Sequence, residues 1–339
     1  MFQFPMCVTT ALIAAVVLLA TTATSAAAQE AAADASFRQS QADAWWTGPM
    51  LANSAATLPK GHVLVEPYIY SVVTRSRFDV DGARRTAAPS NSLGSLTYIL
   101  YGLTDRIAIG LIPTGAINAI NNDVTDPRVG LGDTGILAQF RLTSVRSQSS
   151  RPTVSVAIQE TVPTGKHDRL GNASSDGFGS GAYTTTLSLF SQTYLWLPNG
   201  RILRMRANMS QSISSRVKVE ALSVYGTAAD FRGHAIPGAS FLADTALEYS
   251  LSRRWVIATD VTYGRSRNTR VTGYNLANAT EALRDVRLES GASTTFGLAP
   301  AIEFSWKPTI GVLIGMRVIA AGRNTAASVT PAIAINIVH

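Results

Sequence analysis

YGLTDRIAIGLIP, residues 101–113, contains two apolar runs in strict alternation, separated by three polar residues. Tyr98 and Leu100 alternate before the break, and Ile107, Ile109 and Leu111 after it. A period of two is the spacing of a strand with one buried or lipid-facing side. Thr104, Asp105 and Arg106 leave room only for a tight reversal. The stretch therefore reads as two antiparallel strands joined by a turn.

The same pattern recurs along the chain. Trp255, Ile257, Thr259, Val261 and Tyr263 share one face of a strand, as do Ile310, Val312, Ile314, Met316 and Val318, and Leu203, Met205, Ala207 and Met209. Each run is close to the 9–11 residues that a tilted strand needs to cross a bilayer. Twelve such segments are predicted, starting near Gly61, Ser92, Arg106, Leu131, Pro152, Tyr183, Arg201, Ala239, Arg254, Ala292, Thr309 and Ala326. Turns near Thr104–Asp105, Val145–Arg151, Leu197–Gly200, Ser252-Arg253 and Lys307-Pro308 alternate with longer connections. The long ones are Thr74–Asn91, Asn118–Gly130, Gly165–Gly181, Ser214–Gly238 and Arg265–Gly291, followed by a short Gly322–Thr325. Short turns on one side and long loops on the other predict an all-β, transmembrane, antiparallel up-and-down barrel with both termini periplasmic. A secreted sandwich would not sort its connections so regularly. The alternation in VKVEALSVYG (217–226) predicts that the seventh strand projects above the membrane.

Composition agrees. Only 15% of the 339 residues are charged, against about 25% in an ordinary soluble domain. No stretch after residue 28 offers the 18 uninterrupted apolar residues of a spanning helix. Residues 1–28 carry no charged side chain, contain the apolar run Ala11–Ala20 and end in Ala26-Ala27-Ala28. That reads as a secretory signal peptide cleaved near Ala28, although its start lacks the usual Lys or Arg. The single cysteine, Cys7, lies within it, so a mature chain has no disulfide, thiolate metal site or cysteine nucleophile. The formal charge of +7 is carried by the remainder. For an exported chain it points to an anionic membrane surface rather than nucleic acid.

Four segments taken together resemble a known family: TLPKGHVLVEPYIY (57–70), YGLTDRIAIGLIP (101–113), GLGDTGILAQFRL (130–142) and VAIQETVPTGKHD (156–168). Their order and spacing resemble the outer-membrane barrel proteins of the meta-pathway of phenol degradation, over roughly residues 45–270. The resemblance implies a bacterial outer-membrane barrel and passage of small organic, often aromatic, compounds. It also implies handling by the outer-membrane assembly machinery, which commonly reads a terminal Phe. Here the last strand keeps its period through Val329, Pro331, Ile333, Ile335 and Ile337 but ends in His339.

If the apolar face meets lipid, the opposite face is the lumen. That register places Glu66, Asp133, Arg141, Arg204, Arg206, Asp244, Glu248, Asp260, Glu303 and Arg317 inside. Two readings follow: a charged constriction that filters solutes, or an ion-pair network that fills and stiffens the barrel. Residues 29–60, with Trp45-Trp46, form either a periplasmic segment or a partial plug. Arginines in the outer loops (Arg75, Arg77, Arg84, Arg85, Arg265, Arg267 and Arg270) suit lipopolysaccharide phosphates.

The expected function is a channel for passive movement of small organic compounds. A structural barrel with a blocked lumen is the first alternative, and an outer-membrane lipid-modifying hydrolase the second. His62, His167, His234 and His339 are the only histidines, and no catalytic, metal or cofactor spacing groups them. No enzyme, cofactor or metal site is therefore assigned.

Overall fold

Thr104 closes the reversal that decides the fold. Its hydroxyl accepts the backbone N–H of Ile107 at 2.9 Å and of Arg106 at 3.2 Å. Strands leave this turn in both directions, and the pattern repeats until the sheet closes on itself. The computed structural model describes residues 38–120, 123–143, 151–171, 176–276 and 284–339. The expected signal peptide and residues 29–37 lie outside them, as does most of the connection expected at 145–151.

The strands are β1 (Val63–Phe78), β2 (Arg84–Thr104), β3 (Ile107–Ile112), β4 (Thr114–Ile120), β5 (Asp123–Leu131) and β6 (Thr134–Arg141). They continue with β7 (Thr153–Val162), β8 (Thr184–Trp196), β9 (Ile202–Ser214), β10 (Val217–Glu220), β11 (Phe231–Ile236) and β12 (Ser240–Ser250). The last six are β13 (Trp255–Ser266), β14 (Arg270–Asn275), β15 (Arg284–Glu289), β16 (Ser293–Lys307), β17 (Ile310–Arg323) and β18 (Thr325–Val338). A 3₁₀ turn, Gln41–Asp43, precedes them.

Fourteen of these strands make one antiparallel sheet that closes where β1 pairs with both β2 and β18. β3 and β4 are one stave broken at Pro113, and β5 and β6 one stave broken at Gly132-Asp133, so the wall has twelve staves. The staves begin close to the positions expected from alternation, with two corrections. The second begins at Arg84 rather than Ser92, and the fourth at Asp123 rather than Leu131. The loops expected at 74–91 and 118–130 are mostly hairpin: Arg77 pairs with Arg85, and Phe78 with Arg84, beyond the apolar pattern. Backbone groups there find partners in the neighbouring strand regardless of side-chain polarity. The β17–β18 reversal needs only Asn324, in the left-handed conformation (φ 50°) that asparagine tolerates.

VKVE is a strand, but not an extension of the seventh stave. β10, β11, β14 and β15 form a separate four-stranded sheet at the loop rim, drawn from the two longest connections. Val217, Val219, Phe231, Ala235 and Val271 bury one face of it against Ala182. The two buried valines sit two apart, the period that made the stretch legible as strand. Lys218 and Arg169 hold the Glu220 carboxyl down at about 2, so this sheet stays tied to the 163–171 segment by an ionised group.

At the opposite, tight-turn rim, the chain before β1 packs against the β2–β3 turn. Gly61 N–H donates to the Gly102 carbonyl at 2.8 Å, and Lys60 N–H to Asp105 Oδ1 at 3.0 Å. A Cβ on Gly102 would lie 2.8 Å from the Leu58 carbonyl oxygen and closer still to that of Pro59. Gly102→Val is therefore expected to cost about 1–3 kcal/mol, as overpacking does. The lowered denaturation midpoint would be read from heat-modifiable gel mobility.

Candidate functional site: the lumen and the segment inside it

Alternation fixes which side chains point inward. On β13, Val256, Ala258, Asp260 and Thr262 are buried, whereas Trp255, Ile257, Val261 and Tyr263 are exposed. The inward face of the barrel carries a cluster of buried charged residues. Glu248 on β12 stands opposite Arg204 on β9 and pairs with both Arg204 (Nε at 2.8 Å) and Arg206 (Nε at 3.0 Å). Trp46 lies on the Arg204 guanidinium, 4.4 Å from ring centroid to Cζ, and beside Tyr194. A buried carboxylate between two arginines is compensated, and removing it would leave two unpaired cations in a dry site.

Residues 39–60 enter from the tight-turn rim, arch across the lumen and return to that rim. Trp45 N–H bonds to the Arg253 carbonyl at 2.9 Å, where the segment enters. Glu303 then accepts the N–H groups of Thr47 (2.7 Å) and Gly48 (2.9 Å). Asp260 accepts those of Met50 (3.1 Å), Leu51 (3.3 Å) and Ala52 (2.9 Å). Past Ala52 the polarity of the contacts reverses. Carbonyls of Ala52, Asn53, Ser54 and Ala55 accept from Arg206, Asn208, Gln139 and Ser155 in turn. The return leg ends where Thr57 donates to the Asp105 carbonyl at 2.7 Å. Met50 fills the space between Ala258, Ala301, Leu313 and Tyr68.

The ten residues expected in the lumen divide by depth. Arg204, Arg206, Glu248, Asp260 and Glu303 form the level at which the inner segment is held, and Glu66 joins it through Asn336 (3.3 Å). Asp244 and Arg317 lie further toward the loop rim, on the inward faces of β12 and β17. Two residues depart from the expectation. Asp133 does not line the bare wall: its carboxylate accepts from Gly165 N–H (3.0 Å) and from Ser180 N–H (2.7 Å) and hydroxyl (2.8 Å). It binds loop backbone because it stands at the break between β5 and β6. Arg141 ends β6 at the tight-turn rim, half-buried, and its own N–H bonds to the Arg106 carbonyl. The histidines fall in two places, His62 and His339 at the tight-turn rim and His167 and His234 beside the outer sheet.

Above Asn53 the lumen opens into a cavity of about 240 Å³. One wall is a hydroxyl ladder: Thr186 with Ser212 and Ser188 with Ser210, each pair at 2.8 Å across β8 and β9. Apolar lining comes from Tyr98, Ile112 and Leu137 on β2, β3 and β6, and from Leu242, which stands beside Ser210 on the neighbouring strand. The ladder went unread in the sequence, although small hydroxyl residues alternate with Leu187, Leu189, Met209 and Ile213 at the inward period. Asn53, Gln139, Ser155, Asn208 and Asn336 also went unread, because each acts on a segment distant in sequence.

No protein-family model matches the chain, and no curated protein matches it in sequence. Solved structures do. The chain is similar to an outer membrane channel from Pseudomonas putida F1, at a TM-score of 0.63 with 13% identity, covering 86% of this chain and 100% of that one. The translocator domain of the autotransporter NalP from Neisseria meningitidis aligns at 0.42 with 10% identity, over 83% of this chain and 89% of the other. The P. putida toluene transporter TodX aligns at 0.38 with 10% identity, over 87% and 95%. At 13% identity the first of these supports the fold alone: a closed twelve-stave barrel.

Asp260 holds three N–H groups, two buried and that of Leu51 half-buried, that have no other acceptor among the described contacts. Asp260→Ala is expected to speed amide exchange at Met50–Ala52 at least tenfold, while exchange on the β13 ladder is unchanged. Mass-spectrometric hydrogen exchange would measure both.

Proposed function

We propose that the chain is a bacterial outer-membrane channel for small organic compounds, including one-ring aromatics. The observation that carries this reading is a cavity of mixed hydroxyl and apolar lining inside a closed barrel, ending on an inner segment held by carboxylates. An apolar cavity of about 150 Å³ is enough to take benzene, so about 240 Å³ suits a substituted ring. The hydroxyl ladder faces a ring's polar substituent while Leu137 and Leu242 face its carbon skeleton. The resemblance to the phenol meta-pathway barrels supports this solute class, and the likeness to the P. putida channel supports the barrel that would carry it.

The outside of the barrel supports a membrane setting. Trp255, Phe304 and Trp306 cluster on the outward face near the tight-turn rim, with ring centroids 4.6 and 5.2 Å apart. Tyr263 and Phe296 pair on the same face further along. From Trp255 to Tyr263 a tilted strand rises about 20 Å, which suits the roughly 25 Å band between aromatic girdles. Exposed Ile257, Val261, Leu298, Ile302 and Ile314 fill the interval. Beyond Tyr263, Arg265 and Arg323 flank Thr294 on the outward face, a spacing suited to lipopolysaccharide phosphates. In this reading residues 1–28 direct export, the assembly machinery inserts the barrel, and the tight-turn rim with both chain ends faces the periplasm. Residues 38–56 act as a partial plug, and the inward charges hold the plug rather than filter ions.

Two measurements test the proposal. Deleting residues 38–56 is expected to raise single-channel conductance in planar bilayers several-fold over the full chain. A deletion variant that folds, shown by heat-modifiable mobility, and carries no current would favour the structural-barrel reading. Ile314→Arg on the outward face is expected to cost about 2–4 kcal/mol of stability in lipid. Denaturant titration in vesicles would read it, and an unchanged midpoint would count against a lipid-facing belt.

A further inference from the structure

Each tight turn among the described residues carries a cation. Arg106 lies in the β2–β3 turn, Arg201 ends the β8–β9 turn, Arg253 and Arg254 form the β12–β13 turn, and Lys307 opens the β16–β17 turn. Arg201 is half-buried and the others are exposed. Asp43 and Asp105 are the acidic side chains of this rim among the described residues. Asp43 pairs with Arg253 at 3.3 Å, and Asp105 Oδ1 accepts the Lys60 N–H at 3.0 Å. Arg106, Arg201, Arg254 and Lys307 have no carboxylate within ion-pair distance among the described residues. Arg254 stands 5.9 Å from the Trp45 ring, a neutral partner that leaves its charge in place.

The cations adjoin the aromatic girdle. Trp255 follows Arg254 and Trp306 precedes Lys307, with 47% and 51% of these outward residues exposed. Tyr101 and Phe140 are exposed near the same rim, on β2 and β6. Apolar belt, aromatic rings and cations therefore follow one another toward the turns. Acyl chain, interface and phosphate follow in the same order through one leaflet. Neighbouring turns are two strands apart in the closed sheet, about 10 Å, so the cations are set around the circumference. A folded partner protein meets one patch of a barrel, whereas a leaflet meets a ring.

We propose that the tight-turn rim is a binding ring for anionic phospholipid headgroups, which gathers phosphatidylglycerol around the barrel. The proposal rests on the reading above that this rim is periplasmic, where the leaflet is phospholipid rather than lipopolysaccharide. A choline or ethanolamine headgroup brings its own cation to the phosphate. A glycerol headgroup brings none, so its phosphate is left for an arginine or lysine of the rim.

Fluorescence quenching tests it, because Trp255 and Trp306 sample the lipid beside Arg254 and Lys307. The protein is reconstituted in phosphatidylcholine vesicles containing either phosphatidylglycerol or phosphatidylcholine brominated on its acyl chains. At these tryptophans phosphatidylglycerol is expected to bind about threefold tighter than phosphatidylcholine, and the preference to fade near 1 M salt, where screening acts within about 3 Å. Arg201→Gln, Arg254→Gln and Lys307→Gln together, on three consecutive turns, are expected to abolish the preference. Arg77→Gln, Arg265→Gln and Arg323→Gln together, at the loop rim, are expected to keep it. Equal quenching by the two lipids in the unsubstituted chain overturns the proposal, and so does a preference that survives the tight-turn substitutions. Equal quenching combined with co-sedimentation on purified peptidoglycan, lost on those substitutions, assigns the ring to peptidoglycan instead. Quenching by neither lipid shows that the two tryptophans do not face acyl chains, and removes the membrane-belt reading itself. Labelling of Arg106→Cys by an impermeant maleimide on intact cells overturns the periplasmic placement, and with it the leaflet named here.

Discussion

A backbone group that faces hydrocarbon must find its hydrogen-bond partner within the protein, and the pairing of β1 with β18 makes that possible around the whole circumference. Once the ring is closed, every strand has two faces of fixed character. Outward positions can carry only apolar or aromatic side chains over the height of the bilayer, so the chain's charges are driven to the rims or into the lumen. The low charged fraction and the unbroken period of two are both consequences of that closure.

The lumen inherits an imbalance from this sorting. Glu66, Asp244, Glu248, Asp260 and Glu303 point inward, against Arg204, Arg206 and Arg317. Glu248 takes both neighbouring arginines, which leaves Asp260 and Glu303 without a direct guanidinium partner. Backbone N–H groups of the inner segment supply what is missing, two to Glu303 and three to Asp260. A buried carboxyl group is costly without hydrogen bonds, so the segment supplies the barrel's inner face with donors that its own side chains lack. The binding is also directional. N–H groups face the acids on the entering leg, and carbonyls face Arg206, Asn208 and Gln139 after the apex, so the segment fits in one orientation.

Much of this was legible in the sequence where the physics is local. Alternation is a property of adjacent residues, so Ile310–Val318 and Trp255–Tyr263 announced their strands and, through them, the inward positions of Glu303 and Asp260. The polar break Thr104–Arg106 marked a turn for the same reason. What could not be read was pairing beyond the apolar belt. Arg77 with Arg85 continues a ladder that side-chain pattern no longer marks, and the outer sheet joins β11 to β14 across more than thirty residues of chain. The path of residues 39–60 was equally hidden, because Ser54, Asn53 and Ala52 are bound through their backbones. Asp105, which looked like turn chemistry alone, also holds the end of that segment.

Asp133 shows how one residue type serves opposite ends in the same barrel. Like Asp260, it is a carboxylate that accepts backbone N–H groups from a segment outside the wall. Asp260 does so at a level where the ladder is complete on both sides, through β12 and β16, so its work is to hold something against an already closed wall. Asp133 does so where the stave is broken and β5, among the described residues, pairs with β4 alone, so its bonds add to the wall there. The wall at Asp260 survives loss of the carboxylate because the backbone pairing does not depend on it. At Asp133 the side-chain bonds add to the pairing of β5 with β4, with Phe178 packed over Gly130.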